Sequence, residues 1–358
     1  YRALTEISNR DIILFLERYG VKVLTEDSGK VFPADGRSES VVKAFQQYIE
    51  ENNFYLKVRF NARVESILVE RDGDINPAPH EKIFKRGGVK NAAGVKLIGG
   101  ETISGRKVIL ATGGLSYPKT GSSGDGYEMA KSLGHTIVPL NPALVPLETE
   151  EDFVKDLQGV PLYGVKVSVR GSNGKKICAG VGDIIFTHFG ISGPVILNMS
   201  GVISSLLSEN KKVEVSINLL PGKNSQELDG QLLDEFNLNK NKFLNNVLSR
   251  FLPKSFVPVF LARAGIPADI KCNQISRTQR THLAGMLADF RIKIKRTRPF
   301  EEAMVTKGGV SLNEIDPYTM ESKLVKGLYF CGEVIDIDGE TGGYNLQAAF
   351  STAYLAAK

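Results

Sequence analysis

The end of the chain restricts the fold more than any other stretch. It reads Gly327-Leu-Tyr-Phe-Cys-Gly-Glu-Val-Ile-Asp-Ile-Asp-Gly-Glu-Thr-Gly-Gly-Tyr-Asn-Leu-Gln. A short apolar strand runs into Gly332 and Glu333, a tight loop brings Gly342 and Gly343 forward, and a helix follows from about Asn345. A helix start of this kind offers free backbone N–H groups and the positive end of a dipole to an anionic ligand. The missing side chains at Gly342 and Gly343 let a flat ring approach the backbone. A plain strand, turn and helix with glycine for tight packing would give the same pattern and stands as the alternative.

A second strand end matches the first. Val108-Ile-Leu-Ala-Thr-Gly-Gly-Leu-Ser-Tyr-Pro-Lys-Thr-Gly carries an apolar strand into Ala111, Thr112, Gly113 and Gly114. On its own this is a weak signal. Paired with the C-terminal segment, at a separation that leaves room for an inserted domain, it becomes a stronger signal. A reduced flavin, negative near its pyrimidine edge, is a ligand suited to the helix start.

The remaining pattern supports a two-part chain, and 358 residues exceed what one core usually serves. Ile7 to Tyr19 has helical spacing and ends at Gly20, Val21 to Leu24 reads as a strand, and Ser38 is placed as the N-cap of a helix. Strands are expected at Leu56 to Phe60, Arg63 to Glu70, Val95 to Ile98 and Lys107 to Leu110, with a loop from Arg71 to Gly94. From about Glu148 the texture becomes that of short antiparallel strands, with Gly171-Ser-Asn-Gly as a hairpin turn. Helical periodicity then dominates Leu232 to Leu287. The expectation is an α/β protein with a discontinuous Rossmann-like domain, 1–147 and 298–358. The insert, 148–297, has a β part at 148–222 and a helical part at 223–297.

Composition excludes several classes. Apolar residues make up 42% of the chain and charged residues 24%, so global disorder is ruled out. The formal charge of +5 suits an anionic cofactor without requiring nucleic acid. Cys178, Cys272 and Cys331 form no CxxC, which argues against a disulfide framework or a metal site and fits a reducing, cytoplasmic setting. No apolar run approaches the roughly 20 residues of a membrane span. A small-molecule substrate is the expected partner, with neither nucleic acid nor membrane, and the oligomeric state is left open.

Across nearly its whole length the sequence resembles the BaiN/YhiN-type NAD(P)/FAD-dependent oxidoreductases, a family of two-dinucleotide-fold flavoproteins. The matching runs include Gly29-Lys-Val-Phe-Pro, Leu110-Ala-Thr-Gly-Gly-Leu-Ser-Tyr-Pro-Lys-Thr-Gly, Gly124-Asp-Gly-Tyr, Leu133-Gly-His and Pro142-Ala-Leu-Val-Pro-Leu. Phe186-Thr-His-Phe-Gly-Ile-Ser-Gly-Pro, Val305-Thr-Lys-Gly-Gly-Val, Thr319-Met-Glu-Ser-Lys-Leu and the C-terminal segment complete them. The resemblance implies FAD as cofactor, NADH or NADPH as electron donor, and reduction of an activated C=C bond in an apolar organic substrate. It implies FAD contacts at Val64, Ala111, Thr112, Gly113, Gly114, Gly332, Glu333, Asp336, Gly342, Gly343, Tyr344, Asn345 and Leu346. The family opens with a strand, a G-x-G-x-x-G loop and a helix that have no counterpart here, so the sequence is expected to be a piece of a longer protein, with cofactor loss as the alternative.

Two residues are candidates for proton transfer. His188, in Thr187-His-Phe-Gly, carries an imidazole, the commonest general acid or base, although capping the next helix would equally explain it. Tyr344 would donate a proton or merely cover the ring, and Tyr117 is a weaker candidate of the same kind. Cys331 reads as a packing residue. Arg291, Lys293, Lys295, Arg296 and Arg298 form a basic stripe, read either as a receiver for the extra phosphate of NADPH or as a sheet edge kept soluble by charge. An amine oxidase releasing hydrogen peroxide and a non-catalytic binding module are the competing functions.

Overall fold

The computed structural model describes residues 2–27, 29–71 and 90–358, so most of the loop expected between Arg71 and Gly94 lies outside the described residues. The chain divides into two compact units, 1–140 with 305–358, and 141–304. The first unit is therefore made from both ends of the chain.

It begins with helices α1 (Arg2–Glu6) and α2 (Asn9–Arg18), the hairpin β1 (Val23–Thr25) and β2 (Val31–Pro33), and helix α3 (Ser38–Glu51). Ser38 is the first helical residue rather than the cap; Arg37 holds the cap position and bonds through its N–H to Asp35. The stretch Leu56 to Phe60 forms no strand, and Phe60 is 85% exposed. Among the described residues its alternating pattern has no partner strand to bury one face.

Strands β3 (Val64–Arg71), β4 (Lys90–Leu97) and β5 (Thr102–Ser104) make an antiparallel sheet, followed by β6 (Val108–Leu110), helix α4 (Asp125–Ser132) and β7 (Ile137–Ala143). After the second unit the chain returns through β14 (Val305–Val310), β15 (Val325–Lys326), β16 (Leu328–Phe330) and helix α10 (Gly342–Ala357). β15 adds parallel to β4, and β16 lies parallel to β6 in the register Leu328 to Val108 and Phe330 to Leu110. Leu110, Leu328, Phe330, Val334 and Ile335 form the centre of this unit's core. Together these elements are the α/β arrangement expected.

The second unit is a closed barrel. Its strands are β8 (Leu147–Thr149), β9 (Pro161–Gly171), β10 (Lys176–Thr187), β11 (Gly190–Ser192), β12 (Val213–Asn218) and β13 (Phe290–Thr297), in the circular order β10-β11-β8-β13-β12-β9. Alternation explains it: Val167, Val169, Val215, Ile217, Ile292 and Ile294 are buried on one face, while intervening positions are polar. Helix α5 (Pro194–Ser208) packs on β10 where glycine makes room, a Cβ at Gly180 falling 3.0 Å from Met199 Cε.

Helices α6 (Ser225–Leu238), α7 (Leu244–Leu248), α8 (Phe256–Arg263) and α9 (Arg277–Ala288) fill the segment between β12 and β13. Asn224 and Glu227 close a capping box on α6, as Ser276 and Gln279 do on α9. Phe256, Phe260 and Phe290 are fully buried here, each worth about 2–3 kcal/mol in apolar burial.

Two sequence expectations change. The division falls at 140/141 and 304/305 rather than 147/148 and 297/298, because β8 and the residues after β13 are hydrogen-bonded into the barrel unit. Arg291 to Lys295, whose strict alternation reads as a strand, is indeed part of β13, so the helical part ends before it. β13 is not a sheet edge, since it lies between β12 and β8.

Candidate active site in the first unit

The parallel pairing of β6 and β16 brings the two glycine-rich strand ends side by side. Cys331 N–H donates to Leu110 O at 3.2 Å, so Ala111 and Gly332 leave the sheet together. Gly332 has φ of 74°, and its N–H donates to Thr352 Oγ1 at 3.0 Å, tying the turn to α10. Ala349 lies beside Gly332, so at about 1.5 Å rise per residue the start of α10 stands about 10 Å from it along the helix axis.

Glu333 organises the space behind this pair. Its Oε1 accepts from Ser116 Oγ at 2.8 Å and from Thr306 N–H. Thr306 Oγ1 in turn accepts from the N–H groups of Leu115 and Ser116 at 2.8 and 3.0 Å. Tyr127 OH donates to Glu333 O at 3.3 Å; burial, with Glu333 and Asp336 nearby, pushes that phenol far above its ordinary range. The carboxylate therefore stitches together three segments distant in sequence. Thr306, Ser116 and Tyr127 were not singled out from the sequence, although each lies in or beside a run that carries the family resemblance.

The glycines of Ala111 to Gly114 now have specific reasons. A Cβ at Gly114 would lie 2.4 Å from Thr306 Oγ1 and 2.9 Å from Glu333 Cδ, so this glycine admits the clasp. Gly113 has φ of 72° and faces Ser122 Oγ at 2.8 Å from its Cβ position. Thr112 Oγ1 is buried without a hydrogen-bond partner and is turned onto Gly126, where a Cβ would stand 1.9 Å away. Ala111 is exposed.

The start of α10 is open. Tyr344 and Asn345 return their N–H groups to Thr341 O, whereas those of Gly342 and Gly343 have no acceptor among the described residues. No atom lies within 4 Å of a Cβ placed on Gly342, and only Thr341 Oγ1, at 3.9 Å, approaches one on Gly343. Asn345 clamps the loop before it, accepting from Gly339 N–H at 3.0 Å and donating to Gly339 O and Thr341 O. Tyr344 and Leu346 project from the same turn, 67% and 61% exposed. A flat anionic group fits this cradle: free N–H donors, glycine backbone without neighbours, and two exposed side chains beside it.

Asp336 stands between the strand ends and this helix start. Burial raises its pKa, Asp338 adds to the effect, and Lys307, itself 3.5 Å from Asp338, opposes it. Cys331 is 3% exposed, its thiol pushed up to about 11 by burial, which suits packing rather than thiol chemistry. Val64 opens β3 and lines a separate cavity of about 320 Å³ with Ser66, Glu128 and the bidentate pair Arg63–Asp125.

His188 belongs to the second unit. It lies exposed in the turn between β10 and β11, edge-on to Phe189 with ring centroids 4.9 Å apart, and caps no helix. Arg298 stacks on Phe189 at 4.6 Å and pairs with Glu148 and Glu302, while Arg296 holds the same Glu148 at 2.7 Å. Arg291 is taken by Asp289 and Glu214. Most of the basic stripe is thus neutralised within the barrel.

A parallel strand pair, a turn under it and an open helix start suit a Rossmann-type flavoprotein, and the family and relatives that follow make the class an FAD-dependent oxidoreductase. The model of the HI0933-like protein Rossmann domain matches residues 1–358, and the chain belongs to that family. It is 31% identical over 357 residues to the ribosomal RNA dihydrouridine synthase of Escherichia coli (strain K12), covering 99% of this chain and 80% of that protein. The Haemophilus influenzae protein of the same name is 30% identical over 358 residues, with coverage of 99% and 80%. The 3-dehydro-bile acid delta(4,6)-reductase of Clostridium scindens is 29% identical over 335 residues, covering 92% of this chain and 75% of its own. Among the described residues, no helix is long and apolar enough to cross a membrane.

Proposed function

We propose that this protein is an NAD(P)H-linked reductase that saturates a C=C bond conjugated to a carbonyl. The observation that carries the reading is the open start of α10, where the N–H groups of Gly342 and Gly343 have no acceptor among the described residues and a Cβ on either would meet no close neighbour. When bound, FAD would supply the hydride, received from NADH or NADPH. Gly342, Gly343, Asn345 and Leu346 would hold its ring system, and Ala111, Gly332 and Asp336 would hold the portion nearer the strands. The helix dipole at Gly342 favours negative charge on the reduced ring. Tyr344, exposed beside those glycines, is assigned the proton that completes saturation, and His188, on an exposed turn of the second unit, is the other candidate donor.

The bond type is supported by what two differently named relatives have in common. A dihydrouridine synthase saturates the uracil C5–C6 bond, and a delta(4,6)-reductase acts on double bonds of an oxidised steroid. In both, carbonyl conjugation makes one carbon accept hydride. A small apolar enone is the first substrate reading. Uridine in ribosomal RNA is the second, favoured because two relatives of that name match 99% of this chain. A reducing cytoplasm suits the free thiols of Cys178, Cys272 and Cys331.

The test is the visible spectrum of the purified protein before and after anaerobic NADPH or NADH, followed by incubation with a conjugated steroid dienone or with uridine-containing ribosomal RNA. Bleaching of a flavin band and a product heavier by two hydrogens per reduced bond are expected. Bleaching with neither substrate altered would refute the bond type, and hydrogen peroxide formed from an amine without nicotinamide would replace it with the oxidase.

A further inference from the structure

The outer wall of the barrel carries a shallow cleft of about 290 Å³ that the flavin reading does not use. It is built by register. Ser168 on β9 and Ser216 on β12 lie side by side, and Lys166 and Arg170 flank Ser168 on the same outward face. Lys176, paired with Arg170 across the β9–β10 ladder, closes one end, and Asn218, paired with Lys166, closes the other.

The charge balance there is uneven. Asp289 is the one carboxylate lining the cleft, and it is already engaged by Arg291 at 2.7 Å and by Ser216 Oγ. Lys166, Arg170 and Lys176 have no carboxylate within ion-pair distance among the described residues. Arg170 Nη1 donates to Gly174 O at 3.1 Å, but its Nε is buried with no partner. Asp289 acts on Arg170 only through space, so the half-buried guanidinium is left for an oxyanion in the cleft to engage. No aromatic residue lines the cleft, so it offers nothing on which a base or nicotinamide would stack.

We infer that this cleft is a phosphoryl-binding site, in which Lys166, Arg170 and Lys176 take the oxygens of one phosphate or of adjacent phosphates. The same chemistry is presented by an RNA backbone, by the 2′-phosphate of NADPH and by free phosphate. The cleft lies outside the residues proposed to hold FAD, so its occupancy is measured separately from flavin reduction.

The experiment compares three probes on the intact protein: a fluorescent single-stranded RNA of about 12 nucleotides, NADPH against NADH, and inorganic phosphate. Each is titrated into wild type, Lys166→Gln/Lys176→Gln and Arg170→Lys. Both lysines are exposed, so the double variant keeps the fold, and Arg170→Lys keeps the charge while removing the planar guanidinium. If RNA is the source, the double variant weakens RNA binding about tenfold and lowers the log–log salt slope by about 1.4, two phosphate contacts at about 0.7 each. If the cofactor is the source, NADPH affinity falls in both variants while NADH affinity does not. A loss confined to inorganic phosphate assigns the cleft to the free ion. Equal affinities of wild type and both variants for all three probes overturn the proposal, whatever the flavin spectrum shows.

Discussion

His135 offers the sharpest test of how the first unit is held together. Its side chain is fully buried, with Nδ1 3.2 Å from Glu314 Oε2 and Nε2 2.9 Å from Ser322 Oγ. Ser322 Oγ already accepts from the N–H groups of Leu324 and Val325 at 3.0 and 2.9 Å, so its own hydrogen must point at His135. The network therefore assigns Nε2 as the bare acceptor and Nδ1 as the N–H donor. A second proton on the ring would set two hydrogens against each other at Nε2. Burial holds the imidazole below its ordinary value of 6.5, against the opposing pull of Glu314. The sign follows: the unfolded chain binds this proton more readily than the folded one. The contribution of His135 is complete above about pH 6.5 and is lost as pH falls from there through the lower folded-state value. One proton limits the slope to about 1.4 kcal/mol per pH unit.

His135→Leu keeps the volume and strands the Ser322 hydroxyl, while Glu314 retains Thr136 N–H and Oγ1. The expected cost near pH 8 is about 1–3 kcal/mol. Urea unfolding of wild type and variant from about pH 8 to about pH 5 should show a constant gap that narrows below about 6.5, because only wild type must then exclude the proton. Carboxylates that titrate lower, apart from Glu314 beside His135, act equally on both proteins and drop out of the difference. A gap that widens on acidification, or a variant as stable as wild type near pH 8, would refute the assigned tautomer.

Three further outcomes follow from the site. Gly114→Ala should destabilise by about 1–3 kcal/mol, since its Cβ would stand 2.4 Å from Thr306 Oγ1, and differential scanning calorimetry reads the loss. Gly343→Trp should leave the melting temperature nearly unchanged, because the position faces open space, while weakening FAD binding at least about tenfold in equilibrium titration. Tyr344→Phe should lower kcat by about 10²-fold with little change in the rate of flavin reduction by NAD(P)H, measured by stopped flow.

The fold was legible where a pattern is local. Strict alternation in Arg291-Ile-Lys-Ile-Lys marks β13, and the helical periods after Leu232 mark α6 to α9. Boundaries failed where pairing decides them. Leu147 looks like the end of the first domain, yet it pairs with Ile191 and Thr297 in the barrel, partners that no local pattern reveals. The stretch Leu56 to Phe60 fails for the converse reason: its period is that of a strand, but among the described residues no neighbouring strand pairs with it. The basic stripe illustrates the same limit for charge. Arg296 and Arg298 read as a free cationic run, but Glu148, nearly 150 positions earlier, lies between them and takes both.

The glycines make the argument most directly for the site. In the sequence, Gly113-Gly114 and Gly342-Gly343 are the same signal, two small residues beside a strand or helix end. In the structure they differ in kind. Gly114 is required by protein, because Thr306 and Glu333 occupy the space its side chain would need, and the same holds for Gly308 and Gly309, where a Cβ would lie 2.3 Å from Pro139 O and 2.7 Å from Val334 O. Among the described residues nothing requires glycine at Gly342. A backbone conformation with negative φ, open space and unpaired N–H groups would accept almost any residue if folding alone decided it. Glycine at a helix start costs helical stability, about 1 kcal/mol relative to alanine in a helix interior, so its presence twice in succession points to a ligand lying against the backbone. The internal clasp from Glu333 and the open cradle at α10 then have complementary roles. The first fixes the strand ends, and the second leaves glycine backbone that, among the described residues, no side chain covers.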